Sequence, residues 1–160
     1  MQAAYFRNFI FGVEDSLVST VGLLSGVAIA GVERETILLT GVVLIFVEAF
    51  SMAAGSFLSE TSAEEYSTRR SAISSSSLLA GSIMFASYFV AGFIPLFPYV
   101  VIAGELAFPL SIAASVGALF VLGLASGAIS KTSLVRGALR MAIVGGTAIA
   151  VGVTVGSLLG

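Results

Sequence analysis

The chain has 160 residues, of which 58% are hydrophobic and only 10% are charged, with a formal net charge of -2 at pH 7. A soluble domain carries about 25% charged residues, so this composition excludes a soluble globular class and indicates an integral membrane protein. The chain has no cysteine and no histidine, which excludes disulfides, thiolate chemistry and histidine metal ligands. Its few basic residues are scattered and form no stripe for binding nucleic acid.

Charged residues divide the chain into five apolar blocks. Each block is close to the about 20 residues that a membrane-spanning helix needs, and none alternates polar and apolar residues as a barrel strand does. The sequence therefore predicts an all-α integral membrane protein with five transmembrane helices, forming one domain over residues 1–160. The blocks run from about 5 to 32, 36 to 59, 71 to 93, 106 to 130 and 134 to 159.

The connections between the blocks are short. The third block is expected to end near Phe93, before Pro95 and Pro98, and residues 60–70 are expected to form a short cytosolic helix end and loop. Because basic residues favour the cytosolic side, the distribution of charge predicts a cytosolic N-terminus and an external C-terminus. Six basic residues fall on the predicted cytosolic side and only Arg34 on the other; the six are Arg7, Arg69, Arg70, Lys131, Arg136 and Arg140.

Two acidic residues interrupt the first two predicted spans. Asp15 lies eight residues after Arg7, about 12 Å into its helix, and Glu48 lies twelve residues after Thr36, about 18 Å into a helix of opposite direction. In a hydrocarbon core of about 30 Å these two depths coincide. A carboxylate at membrane depth is costly and usually faces a bundle interior where it handles ions or protons. We therefore expect Asp15 and Glu48 to form an ion site. The alternatives are a structural hydrogen bond for Glu48 and a helix-start role for Asp15.

Met52 lies one helical turn after Glu48 on the same predicted face. Carboxylate oxygens are hard ligands and a thioether is soft, so the three groups suit a borderline divalent metal such as Fe²⁺ better than Mg²⁺ or Ca²⁺. The same carboxylates can carry protons when no metal is bound. Met52 taken alone is better explained as a packing residue than as a ligand, and only its position beside Glu48 makes the two explanations equally good.

Four further glutamates are candidates for metal contact. Glu14 points about 100° away from Asp15 on a helix, so it is expected to face a second subunit or the cytosolic entrance. Glu60, Glu64 and Glu65 continue the second helix beyond the membrane and can attract cations to the cytosolic mouth. A solvated helix end that pairs with the following arginines is the simpler explanation for these three.

Glycine pairs at four-residue spacing recur in the first, fourth and fifth blocks. Such pairs let helix backbones approach closely in lipid, either within one chain or between two. Since five helices leave little room for an enclosed ion path, a homodimer is expected, with Asp15, Ser19 and the first glycine pair near its axis. The pairs are Gly22 and Gly26, Gly123 and Gly127, and Gly152 and Gly156.

Several motifs resemble those of the vacuolar iron transporter family. The segment Phe11–Thr20, FGVEDSLVST, is similar to the first-helix motif, in which an Asp precedes Gly/Ser-Leu/Ile-Val-Ser-Thr. The segment Ser51–Ser59, SMAAGSFLS, is similar to the second-helix motif, Ser-Met-x-x-Gly-x-Tyr/Phe-Leu. Pro95–Tyr99, PLFPY, resembles the third-loop motif, and residues 117–127 and 136–146 resemble the last two helices.

The resemblance implies a five-helix homodimer that exchanges Fe²⁺ or Mn²⁺ for protons, with Asp15 and Met52 lining the path. The chain departs from the family pattern at three points. Leu44 stands where eukaryotic members have a glutamate, so Glu48 is a candidate replacement; Val100 stands where they have a methionine; and only residues 60–70 remain of a cytosolic metal-collecting domain.

These observations predict a proton-coupled antiporter that exports Fe²⁺ or Mn²⁺ across the cytoplasmic membrane of a prokaryote. It is not expected to be an enzyme or to hold a permanent cofactor. Its expected partners are membrane lipid, divalent metal ions, protons and a second copy of the same chain. One alternative is a proton-coupled exporter of organic cations, although the chain has no Trp for an aromatic cage. The other is a membrane subunit that scaffolds a partner and transports nothing.

Overall fold

The computed structural model describes residues 2–69 and 74–160 and is built of five α-helices. All five are long and apolar enough to cross a membrane, and no strand occurs in the described ranges. The prediction of an all-α protein with five spans is confirmed, and the protein is therefore a multi-pass membrane protein in contact with lipid. Arg70, the last residue of the predicted loop, and Ser71, the first residue of the predicted third block, lie outside the described residues. The helices are α1 (Gln2–Ile29), α2 (Arg34–Thr68), α3 (Ser75–Val101), α4 (Ala107–Ile129) and α5 (Leu134–Leu159).

Helix α1 occupies the centre of the bundle. It contacts all four other helices, whereas α2 packs only on α1 and α3. Leu17, Val21 and Leu24 of α1 are completely buried, and successive helices run in opposite directions. The end of the bundle at which α1, α3 and α5 begin is called the N-terminal end below. This arrangement leaves one side of α2 and most of α5 on the outer surface.

The glycine pairs form contacts between helices of one chain. Gly22 and Gly26 of α1 lie against the backbone of Gly152 and Gly156 in α5, so closely that a Cβ on Gly152 would fall on the Gly22 carbonyl oxygen. Gly123 packs in the same way against Ala138 of α5. The intramolecular explanation of these pairs is therefore correct, and the first pair is covered by α5 and not free to contact a second subunit.

Helix α3 continues through both of its prolines, so the expectation that it ends near Phe93 is wrong. Prolines are more frequent in membrane helices than in soluble ones, and α3 continues to Val101. On the C-terminal side of this region, the Pro95 carbonyl accepts a hydrogen bond of 2.6 Å from Ser111 Oγ. At the helix end, Arg34 donates to the Tyr99 and Val100 carbonyls at 2.8 and 2.7 Å.

Helix α2 is longer than a membrane requires. Its 35 residues span about 52 Å, against a hydrocarbon core of about 30 Å. The helix ends at Thr68, followed by Arg69 in the left-handed conformation with a φ of 56°. The last turns of α2 therefore extend past the membrane at the N-terminal end of the bundle.

Candidate functional site

An acidic pair joins α1 and α2. Asp15 and Glu48 are both partly buried, and their side chains are close enough to repel each other electrostatically. Neither forms an ion pair with a cation in the part of the chain that the structure describes. The two antiparallel helices thus bring two like charges together at membrane depth, an arrangement that favours the arrival of cations or protons.

Tyr88 of α3 forms the inner wall of this acidic pair. Its side chain is fully buried, its hydroxyl lies 2.7 Å from Ser19 Oγ, and the ring lies near enough to Asp15 and Glu48 for a weak electrostatic interaction with both. Ser16 Oγ donates to the Tyr88 carbonyl at 2.6 Å, which fixes α3 against α1. Sequence reasoning missed Tyr88, because one tyrosine in an apolar block carries no spacing signal of its own.

A cavity of about 660 Å³ is lined by residues of α1, α2 and α3 in the half of the bundle nearer its N-terminal end. Phe11 lies one helical turn before Asp15, and Met52 lies one turn after Glu48, so both carboxylates follow directly beyond the cavity lining. Met84 of α3 adds a second thioether to the wall, which sequence reasoning did not identify. The lining residues from α1 and α2 are Arg7, Asn8, Phe11, Ser51, Met52, Gly55, Ser56, Ser59 and Glu60.

Two polar contacts connect α1 and α2 along this cavity. Arg7 Nη2 lies 3.7 Å from Glu60 Oε2, and the Glu60 side chain is 24% exposed. Asn8 Nδ2 donates to Ser56 Oγ at 3.0 Å. Glu60 therefore lies at the cavity, as a mouth residue should, but its carboxylate is engaged by an arginine.

The remaining predicted acids lie away from the cavity. The Glu64 carboxylate accepts hydrogen bonds from Ser76 and Ser77 at the start of α3, the second at 3.3 Å, so it ties the end of α2 to α3. Glu14 and Glu65 are partly buried, and neither forms an ion pair with any described residue. Of the seven candidate residues, Met52 and Glu60 line the cavity. Asp15 and Glu48 lie near each other, one helical turn beyond the lining residues Phe11 and Met52.

The acidic pair alone offers a cation few ligands. Within residues 2–69 and 74–160, no three acidic side chains come close enough together to hold a metal ion. A cation at the acidic pair would meet two carboxylates, with the Met52 thioether one turn away. Ser51, Gly55 and Ser59 meanwhile leave a polar strip exposed on α2 beside the cavity. The same three residues also line the cavity.

Comparison with known proteins identifies the family. The family model described as the VIT family matches residues 6–78 and 64–157, so the two matches together cover nearly the whole chain. No curated protein matches the chain significantly. The length of 160 residues is consistent with a short form of the family. The chain belongs to the vacuolar iron transporter family, a family of proteins that transport metal ions across membranes.

Proposed function

We propose that the protein is a proton-coupled antiporter that exports Fe²⁺ or Mn²⁺ from the cytosol across the cytoplasmic membrane of a prokaryote. The observation that carries this proposal is the acidic pair, Asp15 and Glu48, whose charges repel each other and which lie one helical turn beyond the cavity-lining residues Phe11 and Met52. Family membership supports metal as the cargo. The proposal adds the identity of the metal, the coupling to protons and the direction.

Charge balance explains the coupling to protons. Two carboxylates in a poorly hydrated site are neutralised equally well by one divalent cation or by two protons. The unneutralised pair is costly, because burial and like charge both oppose ionisation. Metal release is therefore favoured when protons take its place, and proton release when metal arrives. A proton gradient across the membrane then drives the metal in the opposite direction.

The side chains around the pair support a borderline divalent metal. Asp15 and Glu48 offer hard oxygen ligands, and Met52 offers a soft sulfur ligand one turn closer to the mouth. This combination favours Fe²⁺ over Mg²⁺ and Ca²⁺. The Tyr88 hydroxyl, held by Ser19, is positioned to donate a hydrogen bond to a carboxylate whose metal has left.

A homodimer would complete the site. The exposed polar strip on α2, formed by Ser51, Gly55 and Ser59, is poorly suited to lipid and would be covered by a second copy of the same cleft. Two acidic pairs would then face a common axis and supply four carboxylates. In this arrangement the predicted cytosolic N-terminus opens the cavity to the cytosol.

Transport by the purified protein in liposomes tests the proposal. We expect Fe²⁺ and Mn²⁺ to accumulate in vesicles with an acidic lumen, the lumen to become more alkaline as they enter, and both signals to vanish when an ionophore collapses the pH gradient. Uptake of a quaternary ammonium dye in place of metal would favour the organic-cation exporter. Absence of any gradient-dependent flux would favour the scaffold and contradict the proposal.

A further inference from the structure

Three basic residues occur close together in the sequence at the N-terminal end of the bundle, where α4 ends and α5 begins. They are Lys131, Arg136 and Arg140, called the basic patch below, and all three are exposed. We propose that the basic patch is a binding site for the headgroup of an anionic phospholipid. This site is separate from the cavity and the acidic pair, which α1, α2 and α3 form, and it does not depend on which ion the protein transports.

The basic patch lacks the partners that the other described basic residues have. Arg7 pairs with Glu60, Arg34 donates to two carbonyls of α3, and the Arg69 guanidinium lies 5.7 Å from the centre of the Tyr66 ring. None of the three patch residues forms an ion pair with a carboxylate in the described ranges. The patch therefore carries uncompensated positive charge.

The surrounding elements offer no acid to compensate this charge. No acidic residue follows Glu105 in the sequence, so α4 and α5 contain none. Of the helices that pack against α5, only α1 carries acids, Glu14 and Asp15, and neither pairs with the patch. A counter-charge must come from outside the chain.

The position of the two arginines makes a bound anion favourable. Arg136 and Arg140 are four residues apart on α5, so their side chains share one face, and like charges at this spacing repel. Arg136 also lies in the first turn of α5, where a cation opposes the helix dipole. A phosphate between the two guanidiniums would replace this repulsion with charge-assisted hydrogen bonds.

Depth and neighbouring side chains favour a lipid as the source of the phosphate. Helix α5 has 26 residues and spans about 39 Å, which exceeds a core of about 30 Å. Its first turns therefore reach the headgroup layer, and long arginine side chains extend toward that layer. Val135, Leu139 and Ile143 are exposed beside the arginines, where acyl chains would lie. A ligand that contacts both the basic patch and these apolar side chains must be amphipathic and anionic.

Lipid binding by the purified full chain tests this proposal. Native mass spectrometry would count adducts of phosphatidylglycerol, with phosphatidylcholine of the same chain length as the neutral comparison and inorganic phosphate as the soluble competitor. The variant R136Q/R140Q removes two charges, R136K/R140K keeps them, and R69Q removes one charge at the same end of the bundle outside the patch. Lys131→Gln removes the third patch charge. Because Lys131 lies in a turn, this substitution changes no helical residue.

We expect phosphatidylglycerol adducts to exceed phosphatidylcholine adducts, and each patch charge removed to weaken phosphatidylglycerol binding about fivefold. R136K/R140K and R69Q should bind close to the parental level. Should R136Q/R140Q fail to fold, the fivefold loss in Lys131→Gln decides the question. The proposal is overturned by equal binding of the two lipids, by unchanged binding in the Gln variants, by an equal loss in R69Q, or by displacement of the lipid by equimolar inorganic phosphate.

Discussion

At the scale of single residues, few described side chains stabilise the negative charges of Asp15 and Glu48. Inserting one ionised carboxylate at the centre of a membrane costs about 2.5–3.5 kcal/mol on insertion scales, and Asp15 and Glu48 add mutual repulsion to that cost. No described cation offsets it. The pair therefore gains most from protons or a bound cation, which is the physical reason for assigning it to transport and not to folding.

The Tyr88 hydroxyl is expected to support the acidic pair without being required for folding. Tyr88→Phe keeps the buried ring but removes the hydroxyl bonded to Ser19, a loss worth about 1 kcal/mol. Metal uptake into liposomes should fall roughly fivefold while the protein stays monodisperse in detergent. Tyr66→Phe, at a tyrosine that is 80% exposed, should transport normally. Parental flux in Tyr88→Phe would remove this residue from the site.

Met52 is expected to set the preference between metals. Met52→Leu keeps the side-chain volume but removes the thioether, so uptake of Fe²⁺ should weaken more than uptake of the harder Mn²⁺. The measurement is the KM of each metal in liposomes. Met141→Leu, in a core cluster with Leu17 and Leu119, is the control and should leave the ratio unchanged. Equal losses for both metals would mean that Met52 acts through packing alone.

Sequence spacing predicted that Asp15 and Glu48 come to the same depth, and their role as an ion site stays a prediction. The depths of Asp15 and Glu48 follow from helical rise and a bundle of antiparallel spans, and the structure brings the two together. Tyr88 and Met84 were missed, because their approach depends on how α3 rotates against α1. Glu64 was expected near the mouth, but its bonds to Ser76 and Ser77 depend on the position of a neighbouring helix start.

At the scale of helices, close backbone contact between α1 and α5 stabilises the bundle. Gly22 and Gly26 lie against Gly152 and Gly156 without intervening side chains, which permits the dispersion contacts that drive helix association in lipid. The four-residue spacing predicted close packing but not its partner, since the same spacing serves a second chain equally well. In α3 the pattern failed, because its prolines predicted an end near Phe93 whereas the helix continues to Val101.

The contact between α1 and α5 predicts a sharp difference between two similar substitutions. Gly152→Ala places a Cβ on the Gly22 carbonyl oxygen, whereas a Cβ at Gly146 of the same helix meets nothing within 4 Å. The free energy of unfolding in mixed micelles should fall by about 1–3 kcal/mol for Gly152→Ala, the usual cost of overpacking. Gly146→Ala should be neutral or slightly stabilising. Equal effects would contradict the close approach of the two helices.

At the scale of the whole molecule, the composition and the five blocks were sufficient to predict the number and type of spans. The assembly of subunits is not fixed by the sequence pattern, because the first glycine pair, which suggested a dimer axis, is occupied by α5. The exposed strip of Ser51, Gly55 and Ser59 beside the cavity is now the better indication of where a second copy would bind.

Cross-linking tests this surface directly in a chain without native cysteines. Ser51→Cys should form a disulfide-linked dimer in membranes under mild oxidation, because the proposed axis brings two copies of the strip together. Leu139→Cys, on the exposed side of α5, should remain monomeric under the same conditions. Cross-links at Leu139→Cys but not at Ser51→Cys would place the interface elsewhere.

The central claim is that Asp15 and Glu48 together carry both metal and protons. The decisive measurement is Mn²⁺ uptake and lumenal pH in liposomes with an imposed pH gradient, for D15N/E48Q against the control E33Q/E35Q, which removes two exposed carboxylates at the opposite end of α2. We predict that D15N/E48Q loses metal uptake and the accompanying proton movement together, while E33Q/E35Q keeps both. Parental flux in D15N/E48Q would show that the two carboxylates are structural and would contradict the mechanism.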